Sequence, residues 1–270
     1  MSGVAAASAV PGVEVPSWGG VAASLALVAV AIAVTARARL GLGRELVVAA
    51  IRAAVQLVAV GAVLLVVFRR GGLAGAFGWV GLMVVVAGQV AGRRGRGLPR
   101  ARVAATLGVA VGSSATLGAL LAFGVIPSQP RVVVPVGGMI VSGAMQASSL
   151  VLLRLRDAAE HARPAIEARL CLGLPAREAF APHVRGVLRT AMLPTIDATK
   201  VVGLISLPGA MTGLILAGVD PLTAIRYQVV VMYMLLAAWA LGSLTTTRAA
   251  ERALFDDAHR LRPVGAGAAG

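Results

Sequence analysis

Two charged residues interrupt a long apolar stretch, and their spacing lets them act together. Asp197 and Lys200 lie within residues 189–236, which are otherwise apolar enough to enter a bilayer, and Lys200 is the only lysine in the chain. At i, i+3 they share one face of a helix and can pair. Charged side chains near the bilayer centre cost at least about 2.5 kcal/mol, so those that occur mark solute paths or internal ion pairs. The residues alone leave both interpretations open: a structural pair, or a charged element of a solute path or gate.

Three further residues are candidates for lining or gating such a path. Arg52 and Gln56 are four residues apart in another apolar run, so they share a helix face that we expect to point into the bundle. Arg52 could pair with Asp197 or Glu45 there, or could line the path. Pro208, followed by glycine, predicts a kink or a short unwound stretch. Broken helices often border transport cavities, although packed kinks are as common.

Other chemistries lack their residues. A nucleotide-binding loop needs Gly-Lys-Ser/Thr, and the one lysine stands in the sequence DATKV without those glycines. His161, His183 and His259 are far apart and fall in segments outside the apolar runs, and Cys171 is the only cysteine. We therefore expect no catalytic site, no metal site and no cofactor bound by this chain.

Composition places the chain in a membrane. Hydrophobic residues make up 58% of it and charged residues only 13%, outside the range of soluble domains. The net charge of +14 comes from arginines that flank apolar runs with almost no aromatic residues among them. Membrane topology explains this charge, so we expect a lipid bilayer and no nucleic acid as the partner.

The apolar runs predict an all-α polytopic protein with about seven transmembrane helices. They cover residues 18–34, 46–68, 73–91, 103–126, 132–153, 188–219 and 222–244. Arginines concentrate in alternate loops, which by the positive-inside rule predicts an outside N-terminus, a cytoplasmic C-terminus and a multi-pass location in the plasma membrane.

Three parts follow from this topology. Residues 1–17 form an extracytoplasmic tail, and residues 18–244 form the transmembrane domain. A cytoplasmic segment, 154–186, is inserted in that domain and is expected to form short amphipathic helices broken at Pro164 and at residues 173–175. Residues 245–270 form a cytoplasmic, partly disordered tail.

Four segments resemble one known family. VPVGGMIVSGAM (134–145), ARLCLGLPAREAF (168–180), residues 193–228 and the run RELVVAAIRAAVQLVAVGAVL (44–64) are similar to FetB-type permeases. These are membrane subunits of ABC transporters associated with iron export, and plant aluminium-tolerance membrane proteins are related to them. The resemblance extends over most of residues 43–244.

The resemblance implies a permease subunit that exports iron or another metal-related solute. It would work as a homodimer with a separate ABC-type ATPase subunit, which uses the ATP. The segment 154–186 then resembles the coupling element of ABC permeases, whose loop carries Glu-Ala-Ala, Gly and Leu-Pro. Arg169 replaces the second alanine here, and the distance from the glycine to the Leu-Pro pair exceeds the usual spacing. The residues expected to couple to the ATPase are Glu167, Ala168, Gly173, Glu178 and Ala179.

Two other function classes remain open at this point. One is a secondary transporter driven by an ion gradient, with Asp197 as the titrating carboxylate. The other is a membrane scaffold that transports nothing, which would tolerate neutralisation of Arg52, Asp197 or Lys200.

Overall fold

The computed structural model describes residues 17–67 and 71–265, and the elements found in these ranges are helices joined by short turns. Residues 1–16 of the predicted tail 1–17, residues 68–70 and residues 266–270 lie outside them. The helices are α1 (Trp18–Arg37), α2 (Gly43–Val66), α3 (Gly72–Arg94), α4 (Ala101–Ala122), α5 (Pro130–His161), α6 (Arg163–Cys171), α7 (Ala176–Val201), α8 (Gly209–Leu216) and α9 (Pro221–Leu254).

The predicted all-α polytopic fold is confirmed, with a different count of continuous spans. Within the described ranges, 6 helices are long and apolar enough to cross a membrane: α1, α2, α3, α4, α5 and α9. The sixth predicted span, residues 188–219, is not one helix. It consists of α7, which carries several charges, and of α8, which has only 8 residues. The orientation of the termini remains a prediction.

Small residues let α4 and α9 pack closely. A Cβ added at Gly108 would collide with Thr246, and one at Gly112 would lie 2.9 Å from the carbonyl oxygen of Ala238. Helices in a bilayer gain little from the hydrophobic effect, so close contact and polar bonds hold them together. One such bond joins the hydroxyls of Ser148 in α5 and Thr246 at 2.8 Å. Gly108 and Gly112 of α4 therefore serve the close packing of this helix on α9.

Helices α1 and α2 form a hairpin that stands beside this bundle. Their helix contacts are with each other, and α2 meets the main core near its end, at Leu64 and Val67. Arg52 and Gln56 are exposed on the hairpin, so the inward-facing placement expected for them is not found in the single chain. Among the described residues Arg52 forms no ion pair, with neither Asp197 nor Glu45.

The predicted cytoplasmic end is a packed helical body. Ile166 of α6, Phe180 of α7, Leu254 of α9 and Leu261 are all buried in one apolar cluster. The boundary that the sequence set at residue 244 falls inside α9, which continues to Leu254. Residues 255–261 then turn back in a short hairpin, closed by a bridge between their first and last residues. We call residues 255–261 the C-terminal hairpin.

Candidate functional site: a membrane cleft and the corner that joins its walls

Helices α5, α7 and α9 enclose an open cleft of about 660 Å³. We call it the membrane cleft. Its polar and aromatic lining residues are Ser142 and Gln146 of α5, Thr195 of α7 and Trp239 of α9. The remaining lining is Pro135, Gly138, Met139, Gly143, Pro194, Ala198, Met232 and Leu235. A cleft of this size could hold a small solute, since ligand pockets typically measure about 300–1,000 Å³.

Side-chain hydrogen bonds set the geometry of the cleft walls. The indole nitrogen of Trp239 donates to the carbonyl oxygen of Ala191 at 2.8 Å, which fastens α9 to α7. On the opposite wall the Gln146 amide donates to the Ser142 hydroxyl at 3.3 Å, one helical turn apart. Both of these polar side chains are exposed on an apolar helix. Such groups avoid lipid, so this wall must face water, a solute or another protein surface.

The ion pair predicted for Asp197 and Lys200 is present on α7, the helix whose Pro194, Thr195 and Ala198 line the cleft. The Lys200 Nζ lies 3.5 Å from the Asp197 Oδ1, and the side chains are 69% and 63% exposed. An exposed pair of this kind adds at most about 1 kcal/mol to stability. Exposure of both charges in a membrane protein favours a place beside water or a partner rather than beside acyl chains.

The break expected at Pro208 is also present. Helix α7 ends at Val201, and α8 begins after Pro208, whose carbonyl oxygen accepts the backbone N–H of Thr212 at 3.0 Å. Between them the chain turns at Gly203, whose φ is +80°. A positive φ favours glycine because it has no Cβ. The break therefore separates α8 from the helix that forms one wall of the cleft.

We predict that Asp197→Asn lowers transport while it changes the free energy of unfolding by less than about 1 kcal/mol, as expected for an exposed pair. The variant leaves Lys200 without its carboxylate on the helix that forms one wall of the cleft. Flux and thermal unfolding in detergent should be measured for it and for Asp197→Asn combined with Lys200→Met. A stable double variant that remains transport-deficient is expected; recovery of transport would mean that the pair is only structural.

The predicted coupling residues lie where the C-terminal end of α5 is connected to the N-terminal end of α7. We call this region the α6 corner; it comprises α6, the loop 172–175 and the first turns of α7. Glu167, Ala168, Gly173 and Glu178 are exposed there, whereas Ala179 is fully buried. Ala179 therefore contributes to the packing of the corner and cannot reach a partner with its side chain. The expected helix breaks are confirmed: α6 starts at Arg163, directly before Pro164, and α7 starts after Pro175.

Two arginines brace the α6 corner. The Arg169 guanidinium donates to the carbonyl oxygen of Ala179 at 3.2 Å, which ties α6 to α7. Arg163 donates to Glu167 at 2.7 Å and to the carbonyl oxygen of Leu261 at 3.2 Å. Arg169, which departs from the coupling-loop pattern, thus has a structural task in this chain.

His183 should make the corner sensitive to acid. Its burial, together with the nearby Arg169 guanidinium, lowers its pKa from the usual 6.5. Unfolded chain therefore binds a proton at a higher pH than folded chain, so stability is lost as pH falls through about 6.5. We expect the melting temperature to decrease as the pH is lowered from about 7.5 to 5.5. This pH dependence should be weaker in His183→Phe. The exposed His161 gives the control, and an equal weakening in His161→Phe would contradict the assignment.

Comparison with known proteins agrees with this architecture. The model of the uncharacterised protein family UPF0014 matches residues 18–255. The chain belongs to the UPF0014 family. The match covers all nine helices of the described residues and ends at residue 255, the first residue of the C-terminal hairpin. The cleft, the break and the α6 corner all lie within the matched region.

Three curated proteins are similar to this chain over most of their length. The rice (Oryza sativa subsp. japonica) UPF0014 membrane protein STAR2 is 41% identical over 243 residues, which cover 88% of this chain and 84% of that protein. Protein ALUMINUM SENSITIVE 3 of Arabidopsis thaliana is 36% identical, with coverages of 89% and 88%. The probable iron export permease protein FetB of Escherichia coli is 34% identical, with coverages of 89% and 93%. No solved structure matches the chain.

This UPF0014 protein is therefore a multi-pass membrane protein, and a subunit of a membrane transporter, with the plasma membrane as its location. Sequence reasoning missed Ser142, Gln146 and Trp239 as cleft residues. The i, i+4 spacing of Ser142 and Gln146 in an apolar run is the signal that could have found two of them. Arg52 and Gln56, which the sequence did select, are not brought to the cleft in the single chain.

Proposed function

We propose that this chain is the membrane-spanning permease subunit of an ABC transporter that exports iron or another metal-related solute, with ATP hydrolysed by a separate subunit. The similarity to a protein named as a probable iron export permease supports the substrate and the direction. The sequence has no P-loop of its own, which supports a separate ATPase.

One observation carries the coupling part of this proposal. Helices α5 and α7, which are joined through α6, are also two of the three walls of the membrane cleft. A push or a rotation applied to α6 by a partner would therefore move both walls. Packed helices shift as units because their interfaces do not deform continuously. The break at residues 202–208 lets α7 move without carrying α8 rigidly along.

A homodimer is the assembly that this function requires. The membrane cleft is open, Ser142 and Gln146 are exposed in its lining, and Asp197 and Lys200 are exposed on α7. A second copy would cover these polar groups and close the path. We expect two permease chains and two ATPase subunits in the working transporter.

The lining of the cleft limits how a metal could travel. Its side chains offer an amide, hydroxyls and the thioethers of Met139 and Met232. Within the described residues no group of three or more carboxylate, imidazole or thiolate side chains is placed to hold a metal ion. Hard cations prefer oxygen ligands such as carboxylates, so the iron would travel through this cleft in a complex or with only brief contacts.

The α6 corner provides the experiment. Leu172 is 79% exposed at the tip of the corner, so Leu172→Glu should disturb a docked ATPase and leave the fold intact. We expect this variant to lose co-purification with a co-expressed P-loop ATPase. Ala38→Glu, which adds the same charge in an exposed turn between α1 and α2, is the control. Full co-purification of the Leu172 variant would refute docking at this corner.

A further inference from the structure

A second groove lies between the α6 corner and the C-terminal hairpin. Its volume is about 830 Å³. The corner contributes Arg163, Glu167, Leu170, Cys171 and residues 173–175, and the hairpin contributes Ala258, His259, Arg260 and Leu261. We call it the corner groove. Four of its 11 lining residues therefore come from a part of the chain that was predicted to be a tail.

The C-terminal hairpin is held in one shape by its own hydrogen bonds. The Asp256 carboxylate accepts the backbone N–H of Ala258 at 3.0 Å and that of Arg260 at 2.8 Å. It also accepts the Arg260 Nε–H at 2.9 Å. These bonds, that to the Arg260 backbone foremost, lower the pKa of Asp256, so the carboxylate stays ionised. A preformed surface binds with a smaller ordering cost than a flexible tail.

The hairpin is also fastened to the corner. Arg163 of α6 donates to the carbonyl oxygen of Leu261, and the Leu261 side chain is buried with Ile166. The Phe255 ring packs edge-on against the ring of Phe180 in α7, with centroids 6.0 Å apart. The hairpin and α6 therefore form one body, and any partner that grips the hairpin also moves α6.

The face of this body combines an apolar projection with a cationic edge. Leu172 projects from the corner beside the groove, and the Arg260 side chain is 80% exposed on the hairpin. Asp256 accepts the Nε–H of Arg260, and the rest of the guanidinium belongs to a side chain that is 80% exposed. Its remaining N–H groups can form paired bonds with a carboxylate of a partner. Apolar contact at the centre with charged contact at the rim is the usual composition of a protein interface.

We propose that the ATPase subunit docks on a composite surface made of the α6 corner and the C-terminal hairpin. The corner groove between them receives an apolar element of the ATPase, and Arg260 pairs with an acidic side chain of the ATPase. This inference rests on the proposed function. The inference goes beyond the proposed function because it assigns residues 255–261, which lie outside the coupling segment, to the interface with the ATPase.

The test compares the affinity of purified ATPase subunit for detergent-solubilised variants of the full chain. In Arg260→Ala the cationic edge is removed. In His259→Asp an acidic group enters the groove; aspartate suits this position because His259 has a φ of +57°, which aspartate tolerates better than most residues. Arg262→Ala is the matched control, since Arg262 is an exposed arginine outside the groove. Thermal unfolding checks that each variant is folded.

We expect both hairpin variants to bind the ATPase about tenfold or more weakly, which corresponds to loss of one charged interface contact, while Arg262→Ala binds as wild type. Wild-type affinity in both folded hairpin variants, with binding abolished by Leu172→Glu, would overturn the composite surface and leave the proposed function standing. Unchanged ATPase affinity with an altered oligomeric state would assign the groove to a contact between copies, and would also overturn it. If even the wild-type chain fails to bind any ATPase, the proposed function falls together with this inference.

Discussion

Gly108→Leu should prevent the chain from reaching a stable folded state in detergent. Even a Cβ at this position collides with Thr246, and it would lie 2.9 Å from the carbonyl oxygen of Gly242. Thr246 cannot turn away freely because its hydroxyl is bonded to Ser148. Forcing extra atoms into packed interiors typically costs about 1–3 kcal/mol and sometimes more. Here α4 and α9 would have to separate, so the loss of folding free energy should be about 3 kcal/mol or more.

Size-exclusion chromatography and thermal unfolding of the detergent-solubilised protein measure this effect. The matched control is Gly118→Leu in the same helix, where an added Cβ meets nothing within 4 Å. The control should elute as a single folded species, and the Gly108 variant should aggregate or melt far earlier. Equal behaviour of the two variants would mean that α4 and α9 do not pack as described.

Ser142→Phe should abolish transport without unfolding the protein. Ser142 is exposed on the wall of the membrane cleft, so a larger side chain there projects into open space rather than into the core. The ring would occupy part of the cleft and would remove the hydroxyl that Gln146 contacts. If solute passes through the cleft, the path is then blocked.

Solute flux in proteoliposomes, with melting temperature as the check on folding, measures this effect. Ala115→Phe in α4 is the control, since Ala115 is exposed but does not line the membrane cleft. We expect the control to transport as wild type. Wild-type flux through a folded Ser142→Phe variant would remove the cleft from the transport path.

Features with a local cause could be predicted from the sequence. The break near Pro208 and the start of α6 beside Pro164 follow from proline, which removes a backbone donor and restricts its neighbours. The pairing of Asp197 with Lys200 follows from helical spacing alone. Each of these depends on residues within one or two helical turns, so no knowledge of the tertiary fold was needed.

Features that depend on which helices meet could not be predicted in the same way. In an apolar helix the hydrophobic pattern does not mark the buried face. The sequence therefore did not indicate that the helices carrying Gln146 and Trp239 line the same cleft. Arg52 was expected inside a bundle, yet α2 packs on α1 and leaves it exposed. Residues 245–261 were predicted to be a tail because they follow the last apolar run. Burial of Leu254 and Leu261 against α6 and α7 orders them.

The most direct test of the account is flux of iron, offered both as the free ion and as its citrate complex, in proteoliposomes that hold this chain with or without the P-loop ATPase subunit. We predict movement of iron only when the chain, the ATPase and ATP are all present, with no loss when a proton gradient is collapsed. Transport that persists without the ATPase and disappears with the proton gradient would contradict the account, and would instead identify a secondary transporter.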